Sequence, residues 1–186
     1  MTTDLRKVSV LGMGVLGSQI AYQSAYCSYT VTAYDISDEA LEAGKRRVRS
    51  LVERYAREVE GAADGRAQAA VERITYTSDL ADAGRDADLV IEAAPEILEL
   101  KRDLYQHLAR VAPEKAIFAT NSSTLLPGQL ADDTGRPDRF LALHFANEIW
   151  IHNMAEIMGH PGTDPAVYDR LVRFARSIGM EPIELK

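Results

Sequence analysis

Near the amino terminus, the stretch VSVLGMGVLGSQIA limits the folds open to this chain more than any other feature. A β-rich run, KVSVLG from Lys7 to Gly12, stops on glycine, and a helix-patterned segment from Val15 to Cys27 begins almost at once. Gly12, Gly14 and Gly17 stand in the G-x-G-x-x-G spacing, and a second β-rich run, TVTAYD, ends at Asp35. Strand, tight turn, helix and strand in that order make a crossover, and a crossover needs a parallel sheet. The glycine spacing alone is weak, because many turns need glycine. The strand before it, the helix after it and the acid closing the next strand give it content.

Each position then has a physical job. Gly12 permits the turn, Gly14 lets the backbone approach a pyrophosphate, and Gly17 lets the helix pack closely on its strand. The first helical residues, Val15 and Leu16, meet the phosphates with free N–H groups and the positive end of the helix dipole. A carboxylate at Asp35 accepts both hydroxyls of a ribose and repels a 2′-phosphate, which favours NAD over NADP.

The alternation continues down the chain. Ser37 opens a long polar helix with Asp38 and Glu39 in its first turn, where the dipole favours acids. Glu60 to Ala70 reads as a loop plus a short helix, RITYTSDL as a third strand, and Ala87 to Ala94 as a near-continuous apolar strand covered on both faces. After Pro95, Ile97, Leu100, Leu104, Leu108 and Val111 recur at helical steps. AIFATNSS, RFLALHF and NMAEIM read as strands, followed by a helix from about Asp164 to Ser177 and a last run, EPIEL. The pattern predicts one α/β domain over residues 1–186. Its sheet is of the Rossmann type, doubly wound and mainly parallel, with an antiparallel addition at one edge.

Composition excludes several functions. Twenty-one basic against 28 acidic residues, a net charge of −7, argue against a nucleic-acid surface. No apolar run approaches a membrane span. A lone cysteine, Cys27, rules out an intramolecular disulfide, fits a reducing compartment, and reads as a buried small hydrophobe. The few residues before the first strand leave no room for a targeting peptide, so a soluble cytoplasmic protein without a metal site is expected.

Four blocks, GMGVLGSQIA, DLVIEAAPEILELKRDLY, AIFATNSSTL and RPDRFLALHF, resemble the L-3-hydroxyacyl-CoA dehydrogenases in order and approximate spacing. The likeness runs from Val8 to about Lys186. It implies NAD-dependent interconversion of (S)-3-hydroxyacyl-CoA and 3-oxoacyl-CoA, with His144 as acid/base and Glu156 as its orienting acid. By the same resemblance Ser123 bonds the reacting oxygen, Ser122 stands where the family has threonine, and Asn121 lies beside the nicotinamide. Glu96 and Lys101 would line the cofactor side of the cleft, and Asn147 the substrate side. Pattern alone reads His144 as a satisfied core histidine and Glu156 as a solvent-facing acid. Glu96 would be a helix-start acid and Lys101 part of a solvated helix face.

The chain also departs from the family. Where members usually continue HFFNP, it has HFANEIWIHN, with Ala146 and Glu148 replacing phenylalanine and proline, and Trp150 and His152 in a wall normally aliphatic. A changed wall admits a differently shaped acyl group. Trp150 is expected near the nicotinamide end, and His152 is an exposed strand histidine or a binding group. The cluster KRRVR, Lys45 to Arg49, meets CoA phosphates or is a solvated helix face. The resemblance further implies a C-terminal helical domain and a homodimer. The sequence ends where that domain would begin, so slow turnover and self-association through uncovered apolar surface are expected. An NAD-binding module without activity, or a dehydrogenase of a non-CoA 3-hydroxy acid, are the alternatives.

Overall fold

The computed structural model describes residues 4–185; Lys186, where the family likeness ends, lies outside them. Eight strands form one sheet: β1 (Lys7–Leu11), β2 (Thr30–Tyr34), β3 (Ile74–Thr77), β4 (Leu89–Glu92), β5 (Ile117–Thr120), β6 (Phe140–Phe145), β7 (Met154–Met158) and β8 (Glu181–Leu185). Their spatial order is β3-β2-β1-β4-β5-β6-β7-β8. The first six are mutually parallel. Strand β7 turns back antiparallel to β6 and pairs parallel with β8, which is the antiparallel edge addition the sequence predicts.

Parallel strands require covering helices, and six are present: α1 (Val15–Tyr26), α2 (Asp38–Glu58), α3 (Arg66–Val71), α4 (Leu80–Gly84), α5 (Leu98–Val111) and α6 (Pro165–Ser177). Alternate strand residues feed two apolar cores, one on each face. Val8, Val10, Leu89, Ile91 and Ile117 enter the larger one with α1, α2 and α6. Leu11, Val90 and Phe118 enter the smaller one with α4 and α5. The expected run RITYTSDL is a short strand whose tail caps a helix: Asp79 Oδ1 accepts from Ala81 N–H, opening α4. Cys27 follows α1 half-buried, and burial pushes its thiol up to about 11, in keeping with a packing role. Among the described residues no helix is long and apolar enough to cross a membrane.

The face of α5 differs from expectation. Its buried residues are Lys101, Tyr105 and Leu108, whereas Ile97 and Leu100 are 53% and 36% exposed. The helix is turned about its axis so that a lysine enters the core, because a fully buried acid on β4, Glu92, needs a counter-charge there. Apolar periodicity sees only hydrophobic demand and could not register that one.

Two glycines in the first turn are dictated by backbone contact. Gly12 has φ +94°, and a Cβ there would meet Ala93 O at 2.6 Å. A Cβ on Gly17 would lie 1.8 Å from Gly12 O, so α1 can sit on β1 only if residue 17 has no side chain. Gly17→Ala is therefore expected to cost about 3 kcal/mol or more, at or beyond the upper end of ordinary overpacking, or to prevent folding; denaturant unfolding measures it.

Candidate active site

Chain direction diverges between β1 and β4, so the loops leaving their carboxyl ends part and open a cleft, the usual ligand position in such sheets. Gly14 opens α1 with no side-chain cap, and the space where its Cβ would stand holds no atom within 4 Å. The N–H groups of the first turn, Val15 and Leu16 included, thus face an open approach suited to an anion. Asp35 is set beside them at the end of β2, where its Oδ2 accepts from Met13 N–H at 2.8 Å and its Oδ1 from Ile36 N–H at 2.8 Å. Val15, Ile36, Ile97 and Leu126, in the segments that follow β1, β2, β4 and β5, are exposed apolar residues. The donors, the open glycine and the ribose-height carboxylate fit a dinucleotide.

On the far side of the cleft three side chains line up. His144 on β6 and Glu156 on β7 are directly opposite in the antiparallel register. His144 Nδ1 meets Glu156 Oε2 at 2.7 Å, and His144 Nε2 meets Ser123 Oγ at 3.1 Å. A carboxylate can only accept, so Nδ1 carries the proton; Nε2 is then a free lone pair to which the Ser123 hydroxyl donates. The side chains of His144 and Glu156 are 30% and 47% exposed, open to a ligand yet partly shielded. With Ser122, Leu125 and Leu185 they border a cavity of about 90 Å³. Asn121, just after β5, links the ends of β6 and β4: its Oδ1 accepts from Phe145 N–H at 2.9 Å, while its own N–H donates to Glu92 O at 2.8 Å.

Lys101 is not a solvated surface group, and Glu96, itself exposed, is tied to it. Lys101 is 1% exposed, and its ammonium reaches Glu92 Oε1 at 2.6 Å and Glu96 Oε2 at 3.2 Å. Glu96 Oε1 accepts from Thr124 N–H at 3.1 Å, from Thr124 Oγ1 at 2.9 Å, and from the Ser122 hydroxyl. Partial burial by itself would push the Glu96 carboxyl up, but hydrogen bonds from Ser122 and Thr124 and the Lys101 ammonium outweigh it and bring it to about 2. Sequence reasoning missed Glu92, the acid that anchors this group. Its one signal was an acid closing the apolar strand LVIE.

Other expected site residues stand apart. Asn147 is exposed on the loop after β6 and does not border the His144 cavity. Trp150 is not at the His144 end of the cleft. Its Nε1 donates to Glu58 Oε2 at 2.8 Å, its ring lies 5.1 Å from Tyr55, and Arg54 stacks over it at 4.6 Å, all on α2. Polar and cationic partners along that helix draw the indole away from the sheet end. His152 is exposed, as expected, but in a turn ahead of β7 rather than on a strand. In the KRRVR cluster, Arg47 donates to Met13 O at 3.0 Å beside the glycine turn, and Lys45 pairs with Glu42.

The fold and the cleft define a nucleotide-binding domain of the Rossmann type. Residues 7–186 match the family model for the 3-hydroxyacyl-CoA dehydrogenase NAD binding domain, and the chain belongs to that family. The mitochondrial hydroxyacyl-coenzyme A dehydrogenase of Rattus norvegicus is 32% identical over 98% of this chain and 59% of its own length. A solved diketoreductase, described for substrate-directed dual catalysis of dicarbonyl compounds, is 60% identical with a TM-score of 0.97, over 100% of this chain and 65% of its own. The (S)-3-hydroxybutyryl-CoA dehydrogenase of Ralstonia eutropha is 29% identical with a TM-score of 0.92, over 98% of this chain and 64% of its own. The chain thus spans about three fifths of the rat relative's length. It is an NAD-binding domain, as the glycine turn predicts.

Gly14→Ala is expected to cost at most about 1 kcal/mol in stability, since nothing crowds the new methyl. It should weaken NADH binding on the order of tenfold, because the methyl stands where the pyrophosphate approaches; melting and NADH titration separate the two effects. A second expectation concerns pH. The Glu96 carboxyl sits near 2 when folded against an ordinary value of 4.5, so the stability it contributes is present above 4.5 and disappears as pH falls through about 2. Unfolding curves of Glu96→Gln and the parent chain should differ at neutral pH and converge across that window.

Proposed function

We propose that the chain is the cofactor domain of an NAD-dependent dehydrogenase that interconverts (S)-3-hydroxyacyl and 3-oxoacyl compounds, with His144 as the proton carrier. The observation that carries this reading is the Ser123–His144–Glu156 line, bonded end to end beside the dinucleotide cleft. Bound NAD would supply the hydride acceptor. His144 Nε2, unprotonated because Glu156 holds the proton on Nδ1, would exchange its bond from Ser123 for the substrate hydroxyl and take that proton as the C–H hydride departs. The Glu156 carboxylate then stabilises the imidazolium. Ser123 donates to the reacting oxygen from the position where it now donates to Nε2. In the reverse direction the imidazolium returns the proton. A domain that only bound NAD would have no use for an oriented base at this place, which weighs against the non-catalytic alternative.

A second substrate form is favoured by one specific observation. The 60% identical relative is a diketoreductase described as acting on dicarbonyl compounds. A 3-oxoacyl thioester is itself a 1,3-dicarbonyl, so the same relay serves a thioester or a free diketone. Ala146, Glu148 and Trp150, where the chain leaves the HFFNP pattern, lie in the loop directly after the histidine strand. The proposal therefore covers CoA thioesters, as named for the family, and unesterified dicarbonyls. The homodimer implied by the family resemblance belongs to the same reading.

His144→Ala should leave NADH binding unchanged. It should also lower NADH oxidation by acetoacetyl-CoA or by a 1,3-diketone on the order of a hundred- to ten-thousand-fold. Retention of the full rate would remove His144 from the chemistry, and the ratio of the two substrates' kcat/KM decides between them.

A further inference from the structure

Among the described residues, Glu92 is the one fully buried carboxylate, and the reaction has no use for it. It is 0% exposed, so no ligand in the cleft can touch it. Its two oxygens accept four hydrogen bonds, from Ala94 N–H at 2.7 Å, Lys101 Nζ at 2.6 Å, Thr120 Oγ1 at 2.8 Å and Tyr105 OH at 3.3 Å. These donors come from the turn after β4, from α5 and from β5, so the carboxylate is fixed from three directions. An apolar side chain would pack here with no desolvation cost, and a buried ion pair is often no more stable than its apolar substitute. Stability is therefore a poor account of why a charge stands at this point.

Two arms leave Glu92 and meet again on one loop. In the first, Thr120 donates to Glu92 Oε2 and in turn accepts from Ser122 N–H at 3.2 Å. In the second, the Lys101 ammonium, also bonded to Ala94 O at 3.4 Å, spans from Glu92 to Glu96, whose other oxygen receives the Ser122 hydroxyl. With its three donors occupied the ammonium has no free rotation, so the position of Glu92 sets that of Glu96. Ser122 Oγ accepts from Leu125 N–H at 2.8 Å, which closes the loop on itself. The main chain adds a third tie through Asn121 N–H to Glu92 O. Ser123, which bonds His144, and Asn121, which the family resemblance sets beside the nicotinamide, flank Ser122.

We propose that Glu92 is a positioning residue that, through Lys101 and Thr120, holds Glu96 and the 121–124 loop in register with the bound dinucleotide and the His144 relay. It acts on ligand affinity without reaching the ligand. The inference rests on the NAD-binding reading, and the experiment keeps the two apart.

NADH affinity is measured by fluorescence titration for the parent chain, Glu92→Gln, Glu96→Gln and the double variant, with a thermal melt for each. The parent is expected to bind NADH and Glu92→Gln to bind it on the order of tenfold more weakly. The double variant should lose less than the sum of the two single effects, because one of the two arms from Glu92 runs through Glu96. A structural role would lower the melting temperature while leaving affinity alone, or would add fully to the Glu96→Gln effect; either result overturns the proposal. If Glu92→Gln does not fold, Thr120→Val takes its place as a single variant. It removes one arm and leaves both charges, and unchanged affinity would again overturn the idea. A parent chain that does not bind NADH would instead overturn the cofactor reading and this inference with it.

Discussion

The approach of Gly17 to the carbonyl of Gly12 is the contact on which the site depends. With no Cβ between them, the first turn of α1 settles directly on the end of β1. That contact fixes where the uncapped helix terminus points and how far it stands from the neighbouring strands. Asp35, held by Met13 N–H, takes its position from the same turn. The uncapped helix terminus is thereby placed by main-chain geometry, and Asp35 is the charged side chain held beside it.

The opposite wall is built differently. There the order comes from side chains: a cross-strand His144–Glu156 pair, a serine on the loop after β5, and a buried chain of charge from Glu92 through Lys101 to Glu96. Each charged member that is out of water has a partner of opposite sign or several hydrogen bonds, the condition on which such groups are tolerated inside a protein. The rotation of α5 follows from this. The helix gives up burial of Ile97 and Leu100 so that Lys101 can face the sheet.

Membership of the 3-hydroxyacyl-CoA dehydrogenase family accounts for the glycine turn and the cofactor, and the departures after His144 mark where this chain goes its own way. Glu148 adopts a left-handed conformation, φ 58°, uncommon for a residue with a side chain. It is held there by Arg54 at 2.7 Å and by its N–H to Gln19 Oε1 at 2.8 Å. With Trp150 bonded to Glu58, the loop after the histidine strand is fastened to α2. The loop that a family member would shape with proline is shaped here by an ion pair and an indole.

Much of this was legible in the sequence. The alternation of strands and helices, the glycine spacing and Asp35 are local, because each rests on backbone preferences within a few residues. His144 and Glu156 could be named only through a family resemblance, since pattern alone gave them ordinary structural roles. Their contact depends on the β6–β7 register, which sequence spacing does not specify. Three things were decided by tertiary structure alone: the burial of Lys101, its pairing with the buried Glu92, and the docking of Trp150 on α2. The physical reason is common to all three. A hydrophobic pattern reports what each segment would hide from water, whereas a buried charge or a polar indole goes where a partner from a distant segment waits, and that partner has a place only once the chain has folded.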